Sequence, residues 1–175
     1  MNQKKKSGYS VFLTIDGNDG ESTSVGHEDK ISLIDYSYEI ARASKANPSG
    51  TGGLAEGSAT HAPIVCYKYL DKSSAGIVQR CFDGENIKEV TLEVTRSTGD
   101  MATYLSIKLT NAIIASYRVL TDAEAFALTS ELERPVERLE VAYTGIEFEY
   151  TQQSADGSAA GKLSATWDRA KNKPI

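Results

Sequence analysis

The chain reads as a mainly β protein, either a closed or nearly closed antiparallel barrel or two packed sheets with a helix at one end. Three observations predict this. About seven or eight segments alternate apolar and polar residues with the period of a half-buried strand. One short segment shows firm helical spacing. Clusters of Gly, Asp and Ser separate the alternating segments, as turns between strands require.

Residues 1–8 are polar and are predicted to form a flexible tail. Tyr9, Val11, Leu13 and Ile15 then alternate with polar residues to give a first strand, with Phe12 out of pattern. The run DGNDGESTSVGHED reads as a polar loop. Ile31–Ile40 is predicted as one strand, with Ile34, Tyr36, Tyr38 and Ile40 on its inner face and Asp35, Ser37 and Glu39 on its wet face. Residues 42–60, RASKANPSGTGGLAEGSAT, lack periodicity and read as an extended loop projecting from the body.

The segment Ile64–Arg96 predicts a strand, a short helix and a strand. Asp71 stands where an N-cap should, Ile77, Val78, Cys81 and Phe82 form an apolar stripe, and Gly84 is placed to end the helix. Val90, Leu92 and Val94 give the strand that follows. Tyr104–Tyr117 is a long strand or a bent pair. Val119–Pro135 is ambiguous, with helix-forming composition and Thr121 or Asp122 as a cap. Leu139, Val141 and Tyr143 share a face, but Ile146, Phe148 and Tyr150 are one residue out of phase, which predicts a bulge at Gly145. After SADGSAAG, Leu163, Ala165 and Trp167 mark a last strand.

The 175 residues fit one domain, 1–175, and the formal net charge of −5 argues against nucleic-acid binding. The only dense basic run, Lys4-Lys5-Lys6, lies in the tail. No apolar run approaches the roughly 20 residues of a membrane span, and the segment after the lysines is too short for a secretory signal. Two cysteines are too few for a disulfide scaffold and suit a reducing compartment.

Each chemical candidate has a plainer competitor. His61 with Cys66 or Cys81 would make a thiolate–imidazole pair, but no orienting group is in view, and Cys81 on an apolar stripe behaves as a small hydrophobe. The Asp16–Glu21 run suggests a calcium loop, yet the sixth residue is Glu21 and the twelfth His27, where that loop needs Gly and Glu. His27, Glu28 and Asp29 offer a weak ligand cluster. Gly50, Gly52, Gly53 and Gly57 match no phosphate-loop fingerprint. Glu147 and Glu149 fit a solvated strand face better than an acid–base pair. The expectation is therefore no catalytic, cofactor-binding or metal site, and a binding or structural protein rather than an enzyme.

Several stretches, in order along the chain, resemble the Hcp (haemolysin-coregulated protein) family of type VI secretion tube proteins. They are IDGNDGES, IDYSYEI, YKYLDKSSAGIVQRC, IKEVTLEVTR, YLSIKLTNAIIASY, VERLEVAYTGIEFEYTQQSADGSAAG and the closing WDRAKN. The resemblance implies a small β-barrel of two packed antiparallel sheets with one short α-helix at its side and a long projecting loop. It implies a structural subunit that assembles into stacked homohexameric rings, is secreted from the cytoplasm without a cleavable signal, and carries protein effectors in its lumen. Implied partners are other copies of the chain, a VgrG-type spike, and the contractile sheath and baseplate, with no membrane insertion. By alignment with the family, Ser37, with Asp35 and Glu39 beside it, is expected to face the lumen. Asn47, Pro48, Ser49, Gly50, Thr51, Gly52, Gly53 and Leu54 are expected to touch the neighbouring ring.

Some features depart from the family. Val119–Arg134 stands where the family often has tighter turns, and the arm has its own sequence. From the short stretch after the closing Trp-Asp, no fused toxin domain is expected. Competing readings are a phage-like tail tube protein, a hydrolase built on His27, His61 and the Asp16–Glu21 loop, and a monomeric β-sandwich binding module using Tyr36 and Tyr38.

Overall fold

A computed structural model of the chain describes residues 8–44, 55–96, 102–130, 132–153 and 159–175. The strands are β1 (Tyr9–Ile15), β2 (Ile31–Ser37), β3 (Ile40–Ser44), β4 (Ala55–His61), β5 (Ile64–Tyr69), β6 (Ile87–Arg96), β7 (Thr103–Val119), β8 (Val136–Gln153) and β9 (Ala159–Asp168). Helix α1 (Ser74–Asp83) follows β5, and α2 (Asp122–Leu128) follows β7.

Seven strands pair in the order β5-β2-β1-β6-β7-β8-β9, and β5 also pairs with β8. That last pairing closes the first six strands into an antiparallel barrel and leaves β9 as an extra strand. The strand β8 makes this possible because its two halves have different partners. Val136–Val141 pair with β5, whereas Gly145–Gln153 pair with β9. A separate ribbon, β3–β4, is the second sheet.

The alternation in sequence becomes the inside of the barrel. Val11, Leu13 and Ile15 of β1 meet Val90, Leu92 and Val94 of β6 across the ladder, and all are buried in one core with Ile107, Leu109 and Leu139. Phe12 breaks the pattern for a reason. It faces the other side of β1 and is 3 % exposed, because the loop after β1 folds back and stacks His27 on it at 4.5 Å. At Phe12 both faces of β1 are therefore covered.

Helix α1 plugs the barrel with Ile77, which belongs to the main core, and Cys81 packs beside it. Burying one such isoleucine is worth about 1.5–3 kcal/mol. Gly84 ends the helix at φ 62°, as its position predicts. Two expectations for this helix are corrected. Ser73, not Asp71, is the N-cap, and Asp71, two residues earlier, instead accepts from the Ser73 N–H at 2.9 Å. Phe82 is 78 % exposed, because the helix turns it away from the barrel, so it is not part of the buried stripe.

Other elements also refine the reading. The strand predicted over 31–40 ends at Ser37. A register shift between Leu33 and Asp35 puts Leu33 and Tyr36 against the main core and Ile34 against a second cluster, while Tyr38 and Ile40 are exposed. The ends of the 42–60 stretch are ordered as the β3–β4 ribbon rather than loop. The ambiguous 119–135 segment holds α2, capped by Thr121 and Glu124 in a reciprocal capping box. Ala125 of α2 joins Leu120 and Val136 in the second cluster, on the outer face of the barrel.

The phase slip at Gly145 is present, but it is a corner and not a bulge. The β7–β8 ladder keeps one register through Thr110↔Gly145 and Ala112↔Tyr143. Both strands change phase together: Leu109 and Ala112 point in on β7, Tyr143 and Ile146 on β8. Asn111 takes the strain at φ 49°. Gly145 lets the strands approach, since a Cβ there would collide with Thr110 Oγ1.

Candidate assembly surfaces

The wet face of β2 continues across the barrel in register. One row runs Asp35, Tyr67, Arg138 and Arg118, and the next runs Ser37, Val65, Glu140 and Ser116. Asp35 and Ser37 are exposed, and Asp35 Oδ1 accepts from the Tyr36 N–H at 2.8 Å. Arg138 pairs with Glu140 at 2.6 Å, and hydrogen bonding to that carboxylate raises the guanidinium pKa further. Helix α2 covers the Tyr67–Tyr69 end of this face and leaves the Ser37 end open. Glu39 is exposed in the link between β2 and β3, where its carbonyl accepts from the Ala62 N–H at 3.0 Å. Asp35 and Ser37 thus lie on one strand face, and Glu39 lies beyond the end of that strand. Residues Asn47 to Leu54 lie outside the described residues.

The ribbon that leads to them leans over β8 and β9. Between them lies a mostly apolar cleft of about 430 Å³, lined by Tyr38, Ile40, His61, Phe148 and Trp167 among others. His61 Nδ1 lies 3.3 Å from the Tyr143 hydroxyl, and the two rings meet edge to face. Arg169 sits over the Tyr143 ring at 5.2 Å. Burial first, and the Arg169 charge second, hold the His61 pKa below its ordinary value.

The best-built polar site in the molecule is one the sequence did not single out. Lys68 on β5 and Glu137 on β8 face each other across the ladder and are both fully buried. Lys68 Nζ donates to Glu137 Oε2 at 2.8 Å and to Ser74 Oγ at 3.0 Å, and lies 2.8 Å from Asp71 Oδ1. Ser74 donates to Glu137 at 2.9 Å, and the Tyr117 hydroxyl donates to its other oxygen at 2.6 Å. Burial, and then that bond to Glu137, push the Tyr117 phenol pKa up. Every partner is a fixed group, so the cluster ties the start of α1 to the barrel wall. The signal available in sequence was a lysine at an inward position of the Ile64–Tyr69 strand.

The chemical candidates are dispersed. Cys66 is fully buried in the core, where burial pushes its thiol up to about 12, while His61 meets Tyr143 on the ribbon. His27 turns inward on Phe12 beside Lys30, which pairs with Glu93. Asp29 turns outward to Lys72 at 3.3 Å. The Asp16–Glu21 turn is stitched to the start of α1: Asn18 donates to the Ser73 carbonyl at 3.1 Å, and Glu21 accepts from the Lys72 N–H at 2.8 Å. Glu149 pairs with Lys162 at 2.8 Å. Among the described residues, no group of three or more His, Cys, Asp or Glu is placed to hold a metal ion. No described helix is long and apolar enough to cross a membrane.

The chain is thus a closed barrel pinned to a short helix, with a separate two-stranded ribbon and an open polar face. A sequence profile described as "Type VI secretion system effector, Hcp" matches residues 12–150, and the chain belongs to that family of structural secretion-system proteins. Among solved structures, it is 26% identical to a type six secretion system protein, with a TM-score of 0.84, covering 95% of this chain and 99% of that one. It is 23% identical to Hcp1 from Salmonella typhimurium, with a TM-score of 0.73 and coverage of 97% and 100%. A type VI secretion system effector from Yersinia pestis shares 24% identity at a TM-score of 0.69, covering 90% and 98%. These last two likenesses concern the fold. No curated protein matches the chain.

Proposed function

We propose that this chain is a structural subunit of the type VI secretion inner tube, stacking as hexameric rings and carrying protein effectors in the lumen. The observation that carries the reading is the family match over residues 12–150, together with a fold that spans nearly the whole of a type six secretion protein. The subunit waits in the cytoplasm and is then expelled with the tube, its partners being a VgrG-type spike, the sheath and the baseplate.

Physical features support this reading. A head-to-tail ring needs two different complementary faces on each subunit. The chain offers unlike faces, a polar barrel wall at Asp35 and Ser37 and an apolar cleft beneath the ribbon. In this reading Asp35, Ser37 and Glu39 face the lumen, and Asn47 to Leu54 reach the next ring.

Electron microscopy of the purified protein tests it. Intact protein is expected to give rings and short stacks, and deletion of residues 47–54 is expected to leave rings that no longer stack. Stacks undiminished by the deletion would remove the arm from the ring-to-ring contact, and the absence of rings from both proteins would overturn the reading.

A further inference from the structure

The β3–β4 ribbon shares no ladder with the barrel. The Ala62 N–H closes the base of the ribbon on the Glu39 carbonyl, and His61 ties the ribbon to the barrel by reaching Tyr143 on β8. A neutral imidazole donates from one nitrogen and accepts at the other. Here Nδ1 meets the tyrosine hydroxyl, and Nε2 is buried with no hydrogen-bond partner. An unpaired acceptor costs little beside an unpaired buried N–H that carries part of a positive charge.

The surroundings are arranged against that charge. From the segment after β9, Arg169 lies over the Tyr143 ring. From β3, Arg42 lines the same cleft and already donates to the Gly57 carbonyl at 2.8 Å. Tyr38, before β3, lines the cleft too, and Tyr143 lies against His61, where burial raises its phenol, so it stays neutral. No carboxylate lines this cleft among the described residues.

We propose that His61 is an acid-sensitive latch, protonation of which releases the β3–β4 ribbon from the barrel. The latch belongs to a single subunit and stands whether or not the rings form. The sign follows from the depressed His61 pKa. Below the unfolded value of about 6.5 the released ribbon binds the proton more readily than the docked one, so docking weakens as pH falls and levels off below the docked-state pKa.

Hydrogen–deuterium exchange on the full chain, corrected for the pH dependence of intrinsic exchange, tests this. Between pH 7.5 and pH 5, ribbon amides in 40–44 and 55–61 are expected to lose protection, since the docked ribbon holds its proton less readily than the released one. Amides of β1 and β6 should hold. Trp167, the single tryptophan, lines the same cleft and should change fluorescence over the same range. In His61→Asn, which keeps a group near the Nδ1 position, or in His61→Gln, the pH-dependent loss should vanish. Ribbon protection in the wild type that is equal at both pH values overturns the latch, and so does an identical loss in a folded variant.

Discussion

Lys68 and Glu137 show what one pair of residues can fix. Two charges taken wholly out of water are costly, and their attraction repays this only when the remaining donors and acceptors are filled. Ser74, Asp71 and Tyr117 fill them, and those three come from the turn before α1, from α1 itself and from β7. The pair therefore sets where the helix docks. Glu137→Leu alone leaves the buried ammonium to Asp71 and Ser74 and takes the acceptor from the Tyr117 hydroxyl, and is expected to cost about 3–5 kcal/mol in urea unfolding. The double change Lys68→Met with Glu137→Leu should recover most of that loss. A single variant within about 0.5 kcal/mol of wild type would show that the cluster carries no such weight. From sequence this site was out of reach: alternation marks position 68 as inward, but only the barrel's closure, β5 against β8, brings residue 137 opposite it.

Among the elements, the β7–β8 pair carries the least obvious device. Apolar periodicity alone revealed a phase slip at Gly145, because Tyr143 and Ile146 both had to face inward. It did not reveal that β7 slips with it at Asn111, since a bulge and a shared corner leave the same mark on one strand. The difference is testable. Gly145→Ala pushes a methyl group into Thr110 Oγ1 and should destabilise by about 1–3 kcal/mol, and adding Thr110→Ala should restore a good part of it. No rescue by the second change would contradict the corner. The same limit explains Phe82, since helical spacing gives a stripe but not its width, and one turn of α1 suffices to place Ile77 and Cys81 inward and Phe82 outside. It also explains β2, where an out-of-register residue between Leu33 and Asp35 moved Ile34 to the opposite face. By contrast Thr121 and Glu124 announce α2 locally, through a capping box that needs no distant partner.

For the molecule as a whole, the barrel was legible because period-two alternation is dictated by a sheet with one face buried. The ordered run of family-like stretches was legible too, and the family match covers residues 12–150. What alternation could not show is which strand closes on which, since β8 serves three neighbours along its 18 residues. Nor could it show that the non-periodic 42–60 stretch begins and ends as a paired ribbon poised over an apolar cleft. An exposed apolar cleft on one side and a polar barrel face on another suit a subunit that meets copies of itself with unlike surfaces. Native mass spectrometry of the purified protein at low salt tests that claim most directly. A dominant hexamer is the result the account predicts, and a clean monomer across micromolar concentrations would contradict it.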